Sequence, residues 1–250
     1  MKTAFVTGAS AGFGRAICRS LIAAGYRVIG GARRLEKLVE LERELGAHFI
    51  PLALDVTDMA SLDAAMGQIR ELSPSIDVLV NNAGLALGID RAPACSAQNW
   101  QRMIDTNITG LAMVTHRVLP GMVEANRGLI INIGSIAGTY PYPGGNVYGA
   151  SKAFVKQFSL NLRADLAGTR VRVSNIEPGL CSGTEFSLVR LDGDAQAVAS
   201  LYKDVEAILP EDVANTVAWI AQLPEHMNIN SIEIMPVAQS SAGMSIARNL

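Results

Sequence analysis

The chain has 250 residues, 49% of them hydrophobic and 18% charged, with a formal net charge of −2 and a pI near 5.9. This composition predicts an ordinary globular protein with enough apolar residues for a substantial core. It has no basic excess to neutralise a phosphate backbone or dock on an anionic membrane, so nucleic-acid and membrane partners are not expected.

Cys18, Cys95 and Cys181 are odd in number and widely spaced, which fits neither a disulfide framework nor a metal site; a reducing, cytoplasmic setting is expected. The start, MKTAFVTGAS, passes from one lysine into a β-like run and a glycine turn, without the apolar region of a secretory leader. No apolar run approaches the roughly 18 residues of a membrane span.

In chain order, short β-branched or apolar runs alternate with amphipathic segments, the signature of βαβ units and a parallel sheet. The pattern predicts strands at 3–7, 27–30, 48–52, 76–80, 129–133, 171–176 and 231–235, with helices at 13–24, 35–45, 59–71, 97–124, 146–167 and 211–222. Wholly apolar runs such as DVLVNN and GLIINIGS belong in a sheet covered on both faces. No linker, repeat or low-complexity tract interrupts the alternation, so a single α/β domain over 1–250 is expected. The weakest stretch is 182–209, too polar for a strand and broken by Gly193; it reads as an inserted, partly helical flap.

The first strand runs into VTGASAGFGRAI, with Gly8, Gly12 and Gly14 in the turn that opens a helix. Glycine there allows positive φ and lets backbone N–H groups approach a phosphate at the positive end of the helix. The order strand, turn, helix is the one a dinucleotide site requires, although the spacing is G-x-x-x-G-x-G where G-x-G-x-x-G is usual. At the end of the second strand, where a carboxylate would take ribose hydroxyls, the chain has GGARRLEKL. Arg33 and Arg34 offer guanidinium forks for a phosphate dianion and point to NADP over NAD. The alternative is a solvated helix start continued by Glu36 and Lys37. Asp55 ends the third strand, where it can meet an adenine amino group or cap the next helix with Thr57 or Asp58.

Asn81, Asn82, Ala83 and Gly84 leave the fourth strand where ligands of doubly wound sheets bind, and can line a ribose without bulk. Asn81 reads equally well as a structural amide. Asn107, mid-helix in WQRMIDTNITGLAMV, is a poor helix former and implies a local distortion, a bound water or an incidental residue. Ser135 ends the fifth strand in INIGSIAG, and Tyr148 and Lys152 follow one helical turn apart. On a helical wheel they lie at the seam of the apolar face. An ammonium within about 4–6 Å favours a phenolate, so a tyrosine tuned in this way can exchange a proton with a substrate hydroxyl or carbonyl while Ser135 holds the oxygen.

The G-x-x-x-G-x-G turn, Asn-Asn-Ala-Gly at 81–84, Asn107, Ser135 and Tyr148-x-x-x-Lys152, in this order, resemble the short-chain dehydrogenase/reductase family from residue 3 to about 235. The resemblance implies a single-domain, Rossmann-like doubly wound fold with a seven-stranded parallel sheet, usually in a homotetramer. It implies a catalytic set of Asn107, Ser135, Tyr148 and Lys152, with Asn107 positioning a water behind Lys152. It also implies cofactor contacts from Ser10, Phe13, Val56, Tyr148 and Lys152. Pro178 and Gly179 would shape the turn under the nicotinamide. Thr184 would reach the carboxamide, although P-G-L-C-S-G-T is one residue longer than the family's pattern.

Segments such as MIDTN, PYPGGNVYGASKAFVKQFSLNLR and NINSIEIMPVAQS are similar to the bacterial NADP-dependent 3-hydroxy acid dehydrogenases, a group that includes serine and allo-threonine dehydrogenases and semialdehyde reductases. That likeness implies a substrate such as L-serine, L-allo-threonine or 3-hydroxypropionate, with Arg190 of the flap as carboxylate anchor or, alternatively, a surface arginine. Sulfoacetaldehyde reductases share the scaffold, which leaves a sulfonate open. A non-catalytic NADP sensor would be expected to have lost Tyr148 or Lys152, and both are present.

Overall fold

A computed structural model describes residues 1–73 and 75–241; residues 242–250 of the expected domain lie outside the described residues. The strands are β1 (Thr3–Thr7), β2 (Arg27–Ala32), β3 (Phe49–Ala53), β4 (Val78–Asn81), β5 (Gly128–Ile133), β6 (Val171–Pro178) and β7 (Ser231–Ile234). They form one seven-stranded sheet in the order β3-β2-β1-β4-β5-β6-β7, every pair parallel. The seven strands lie where the alternation predicts them, with ends displaced by about two residues: β4 starts at Val78, and β2 and β6 run on to Ala32 and Pro178.

Alternate residues of each strand serve opposite faces, as a period of two demands. Ala4, Val6, Val28, Val80 and Ile131 join one apolar layer, where α1 (Gly12–Ala23), α2 (Leu35–Leu45) and α9 (Pro210–Gln222) contribute Ile17, Leu21, Leu38, Leu41, Val213 and Val217. Phe5, Ile29, Leu79 and Ile130 join the other, against α3 (Met59–Leu72), α5 (Leu111–Glu124) and α6 (Asn146–Asp165). Chain order reverses between β1 and β4, and such a switch point opens the ligand crevice of a doubly wound sheet at the strands' C-terminal ends.

The single helix expected over 97–124 is corrected. It is α4 (Ala97–Ile104), a wider π-helical turn at Asp105–Gly110, and α5. Two forces act there. The Asn107 side chain is bonded to the backbone of Leu85, and Gly110 is pressed so closely on Val56 that a Cβ would lie 2.8 Å from its Cγ2. Wide turns of this kind gather at functional sites.

The flap is partly helical, with α7 (Phe186–Arg190) and α8 (Ala195–Leu201). Its two ends are drawn together by a parallel bridge between Cys181 and Ile208. The Ser182 N–H donates to Ile208 O at 2.9 Å and the Ile208 N–H to Leu180 O at 3.1 Å. Among the described residues, no helix is long and apolar enough to cross a membrane.

Candidate active site

The glycine turn is shaped from below by the fourth strand's exit. Gly8 and Gly12 take φ of 68° and 51°, conformations that cost other residues strain. A Cβ on Gly8 would lie 2.9 Å from both Ala83 Cα and Asn82 Nδ2. The Asn82 amide donates to Thr7 O (2.9 Å) and Gly8 O (3.2 Å), while Thr7 Oγ1 accepts the Asn82 and Ala83 N–H groups. Asn82 and Ala83 therefore set the form of the turn. No side chain caps the start of α1 and no acidic residue lies in its first turn, so its N–H groups face an open groove suited to an anion. Phe13 is half-buried against the core.

At the outer end of the groove, Arg34 bridges turn and flap. Its guanidinium donates to Ser10 Oγ at 3.3 and 3.4 Å and pairs with Glu185 Oε2 at 2.8 Å. The pair is half exposed and contributes on the order of 1 kcal/mol or less. Arg33 is fully outside this contact and exposed. Ser10, Gly12, Lys37, Thr184 and Glu185 line a cleft of about 460 Å³. Thr184 sits over Gly12, 3.2 Å from where a Cβ would be, and so at the phosphate end of the groove. Asp55 turns its carboxylate back on Thr57, accepting from its N–H and hydroxyl, whereas the cap of α3 falls to Asp58. Val56 is buried beneath Gly110. Asn81 takes the structural role: its amide donates to Thr115 Oγ1 and Asn132 Oδ1, both at 2.8 Å.

The inner end brings Asn107, Ser135, Tyr148 and Lys152 into one neighbourhood. Asn107 is 1% exposed; its Nδ2 donates to Leu85 O at 2.8 Å and Ser151 Oγ at 3.0 Å, and its Oδ1 accepts the Leu85 N–H at 2.9 Å. Gly84 opens the space between: a Cβ there would stand 3.3 Å from Asn107 Oδ1 and 3.6 Å from Lys152 Nζ. Lys152 Nζ donates to Ile133 O at 2.8 Å and lies 5.8 Å from the Tyr148 ring centroid. Ser135 caps a short 3₁₀ turn, accepting the Ala137 N–H, and its hydroxyl donates to Pro178 O at 3.4 Å.

Two expectations about the tyrosine and lysine are corrected. Neither lies merely at the seam of a helix face: both are only 8% exposed, Tyr148 with Phe186 of the flap packed against it, ring centroids 5.8 Å apart, and Lys152 with its Nζ turned in to Ile133 O. Nor is the phenol lowered on balance. Burial pushes Tyr148 up to about 12, against a weaker downward pull from the Ser135 hydroxyl and the Arg190 guanidinium. Burial also pushes Lys152 down to about 8.

Arg190 is held at the Tyr148 end. Its guanidinium lies 5.5 Å from the Tyr148 ring and 5.3 Å from that of Tyr142. Gly179 N–H donates to Ile234 O at 2.8 Å and Leu180 N–H to Gln239 Oε1 at 2.7 Å, fixing the turn after Pro178. Tyr142, Ser151, Glu185, Phe186 and Gln239 escape a reading of the sequence, since each acts across a long separation. Only Ser151, next to Lys152 and one turn after Tyr148, carried a local signal.

Comparison with known proteins agrees with this geometry. A family model described as short chain dehydrogenase matches residues 2–191, and the chain belongs to that family. It is 58% identical over 246 residues to a probable NADP-dependent dehydrogenase of Haemophilus influenzae, covering 98% of each chain. It is 54% identical over 243 residues to the NADP-dependent 3-hydroxy acid dehydrogenase YdfG of Escherichia coli, covering 97% of this chain and 98% of that one. Among solved structures, the closed form of a serine dehydrogenase complexed with NADP+ superposes with a TM-score of 0.97 at 53% identity, over 99% of this chain and 100% of that one.

Proposed function

We propose that the chain interconverts a short 3-hydroxy acid, of the L-serine, L-allo-threonine or 3-hydroxypropionate type, and the corresponding 3-oxo acid or semialdehyde. It is an NADP-dependent oxidoreductase acting on CH–OH groups, as its family and relatives have it. The observation that carries the substrate class is Arg190, a guanidinium delivered by the flap to within 5.5 Å of the Tyr148 ring. A planar guanidinium takes a carboxylate through two parallel hydrogen bonds, which would set an acid's hydroxyl carbon beside the phenol.

When bound, NADP would supply or take up the hydride that the carbinol carbon exchanges. The chain's own groups do the rest. Ser135 holds the substrate oxygen, Tyr148 gives or takes its proton at the phenol oxygen, and Lys152 adds a positive charge beside that phenol. Asn107 ties the π-helical turn to the 84–85 segment and to Ser151, keeping the space in front of Lys152 open. Arg34, with Ser10, would take the cofactor's extra phosphate. The assembly proposed with this reading is a cytoplasmic homotetramer, which light scattering coupled to size exclusion would check.

Initial rates with 3-hydroxy acids, the sulfonate isethionate and neutral alcohols test the substrate class. Arg190→Met is expected to raise KM for the acids by roughly 10- to 100-fold while leaving neutral alcohols nearly unchanged. Equal losses for both would refute the anchor, and preference for isethionate would move the substrate to a sulfonate.

The effect of burial on Tyr148 and Lys152 gives a pH profile its sign. Tyr148 keeps its proton through neutral pH, ready to protonate a carbonyl, and must lose it before accepting one from an alcohol. Oxidative kcat/KM is therefore expected to climb with pH, and to climb less steeply above about 8 as Lys152 loses its charge. An oxidation rate that falls as pH rises through neutrality would contradict this assignment.

A further inference from the structure

We propose that Tyr142 is the positioning residue for acid recognition, its hydroxyl fixing the Arg190 guanidinium beside the reaction centre. The proposal rests on Arg190 as the carboxylate anchor. An arginine on a polar flap is by itself a poor anchor, because its long side chain loses rotamer freedom when it binds. Here the conformation is already set from three sides.

The backbone of Arg190 is registered first: the Gly88 N–H donates to its carbonyl at 3.0 Å, and its own Nε returns a bond to Gly88 O at 3.3 Å. Those contacts hold one edge of the planar guanidinium but leave it free to tilt about the Nε–H···O line. Tyr142 closes that freedom. Nη2 donates to the Tyr142 hydroxyl at 2.8 Å while the ring lies under the guanidinium at 5.3 Å. Of the five N–H donors an arginine carries, these two bonds use two, which leaves three for a carboxylate.

The loop is built around that ring. Tyr142 lies flat on Gly145, where a Cβ would meet its Cε1 at 3.0 Å and its Cζ at 3.1 Å. The neighbouring Gly144, with φ +81°, crosses the 88–89 segment so closely that a Cβ would stand 2.9 Å from the Ile89 carbonyl carbon. Three segments distant in sequence therefore converge on one guanidinium next to Tyr148. Among the described residues, the Tyr142 hydroxyl is the one acceptor that meets the guanidinium's outer nitrogens.

The test compares 3-hydroxypropionate with the neutral 3-hydroxypropionamide, which has the same carbon skeleton, in Tyr142→Phe, Arg190→Met and the double variant. Tyr142→Phe keeps the ring and removes one acceptor. It is expected to raise KM for the acid roughly 3- to 10-fold, with kcat within about twofold and the amide unaffected. In the double variant it should add nothing to the effect of Arg190→Met. A Tyr142→Phe effect that is equal for acid and amide, that appears in kcat, or that persists when Arg190 is absent would overturn the proposal. If Arg190→Met discriminates acid from amide and Tyr142→Phe does not, only the role of Tyr142 falls. If Arg190→Met does not discriminate, the anchor itself falls.

Discussion

Replacing Tyr148 with phenylalanine is expected to leave the fold and NADPH affinity intact and to lower kcat by roughly 10²- to 10⁴-fold, the range over which a positioned acid or base contributes. The substitution removes one oxygen and keeps the ring. That ring fills a small apolar cluster with Ala86 and Met103 and packs, tilted by 57°, against Phe186, so the cover that the flap forms over the site should survive. Among the described residues, no hydrogen bond that shapes the proposed cofactor groove starts from the phenol: the glycine turn is held by Thr7 and Asn82, and Lys152 is held by Ile133 O. Fluorescence titration with NADPH and a thermal melt should therefore match the parent chain while turnover collapses. Activity within about tenfold of the parent would remove Tyr148 from the proton-transfer role.

The residues that could be read from the sequence are those whose reasons are local. Strand positions follow from apolar runs whose two faces both need cover, and the glycine turn follows from one short segment between a strand and a helix. The burial of Tyr148 and Lys152 could not be read that way. A helical wheel knows only the helix's own faces, and what meets them comes from elsewhere in the chain: Phe186 against Tyr148 and the Ile133 carbonyl against Lys152. The π-helical turn is similarly hidden, because the bonds that tie Asn107 to Leu85 cross 22 positions. Arg190 and Tyr142 are 48 positions apart, and Arg34 and Glu185 are 151 apart. Asp55 shows the limit of a local signal: two nearby carboxylates suit a cap, and the geometry gives the cap to Asp58 and a turn of its own to Asp55. The lowered phenol failed for an energetic reason, since desolvation in a covered site outweighs the Ser135 hydroxyl and the Arg190 guanidinium 5.5 Å from the ring.

Gly14→Ala is expected to be nearly as damaging as the loss of the phenol, by a different route. Gly14 does not need a glycine for its φ, unlike Gly8 and Gly12; it needs one for space. A Cβ there would run into the Gly8 carbonyl oxygen, stand 2.8 Å from the Gly8 carbonyl carbon and 2.6 Å from Asn82 Nδ2. Two of those atoms are backbone, and the third is the amide that holds Thr7 O and Gly8 O. Nothing flexible is available to yield. The helix must lift from the turn or the turn must part from Asn82, and either moves the N–H groups at the start of α1 away from a bound phosphate. Losing one charge-assisted hydrogen bond of roughly 1.5–3 kcal/mol should lower NADPH affinity by about 10- to 100-fold, and overpacking should cost about 1–3 kcal/mol of stability. Gly67, in the middle of α3 with nothing within 4 Å of where a Cβ would be, is the control. Alanine there should raise stability by about 0.5–1 kcal/mol and leave NADPH binding unchanged. Equal effects of the two substitutions on NADPH affinity would show that the turn tolerates a methyl group, and that its closeness to Asn82 does not set the cofactor groove.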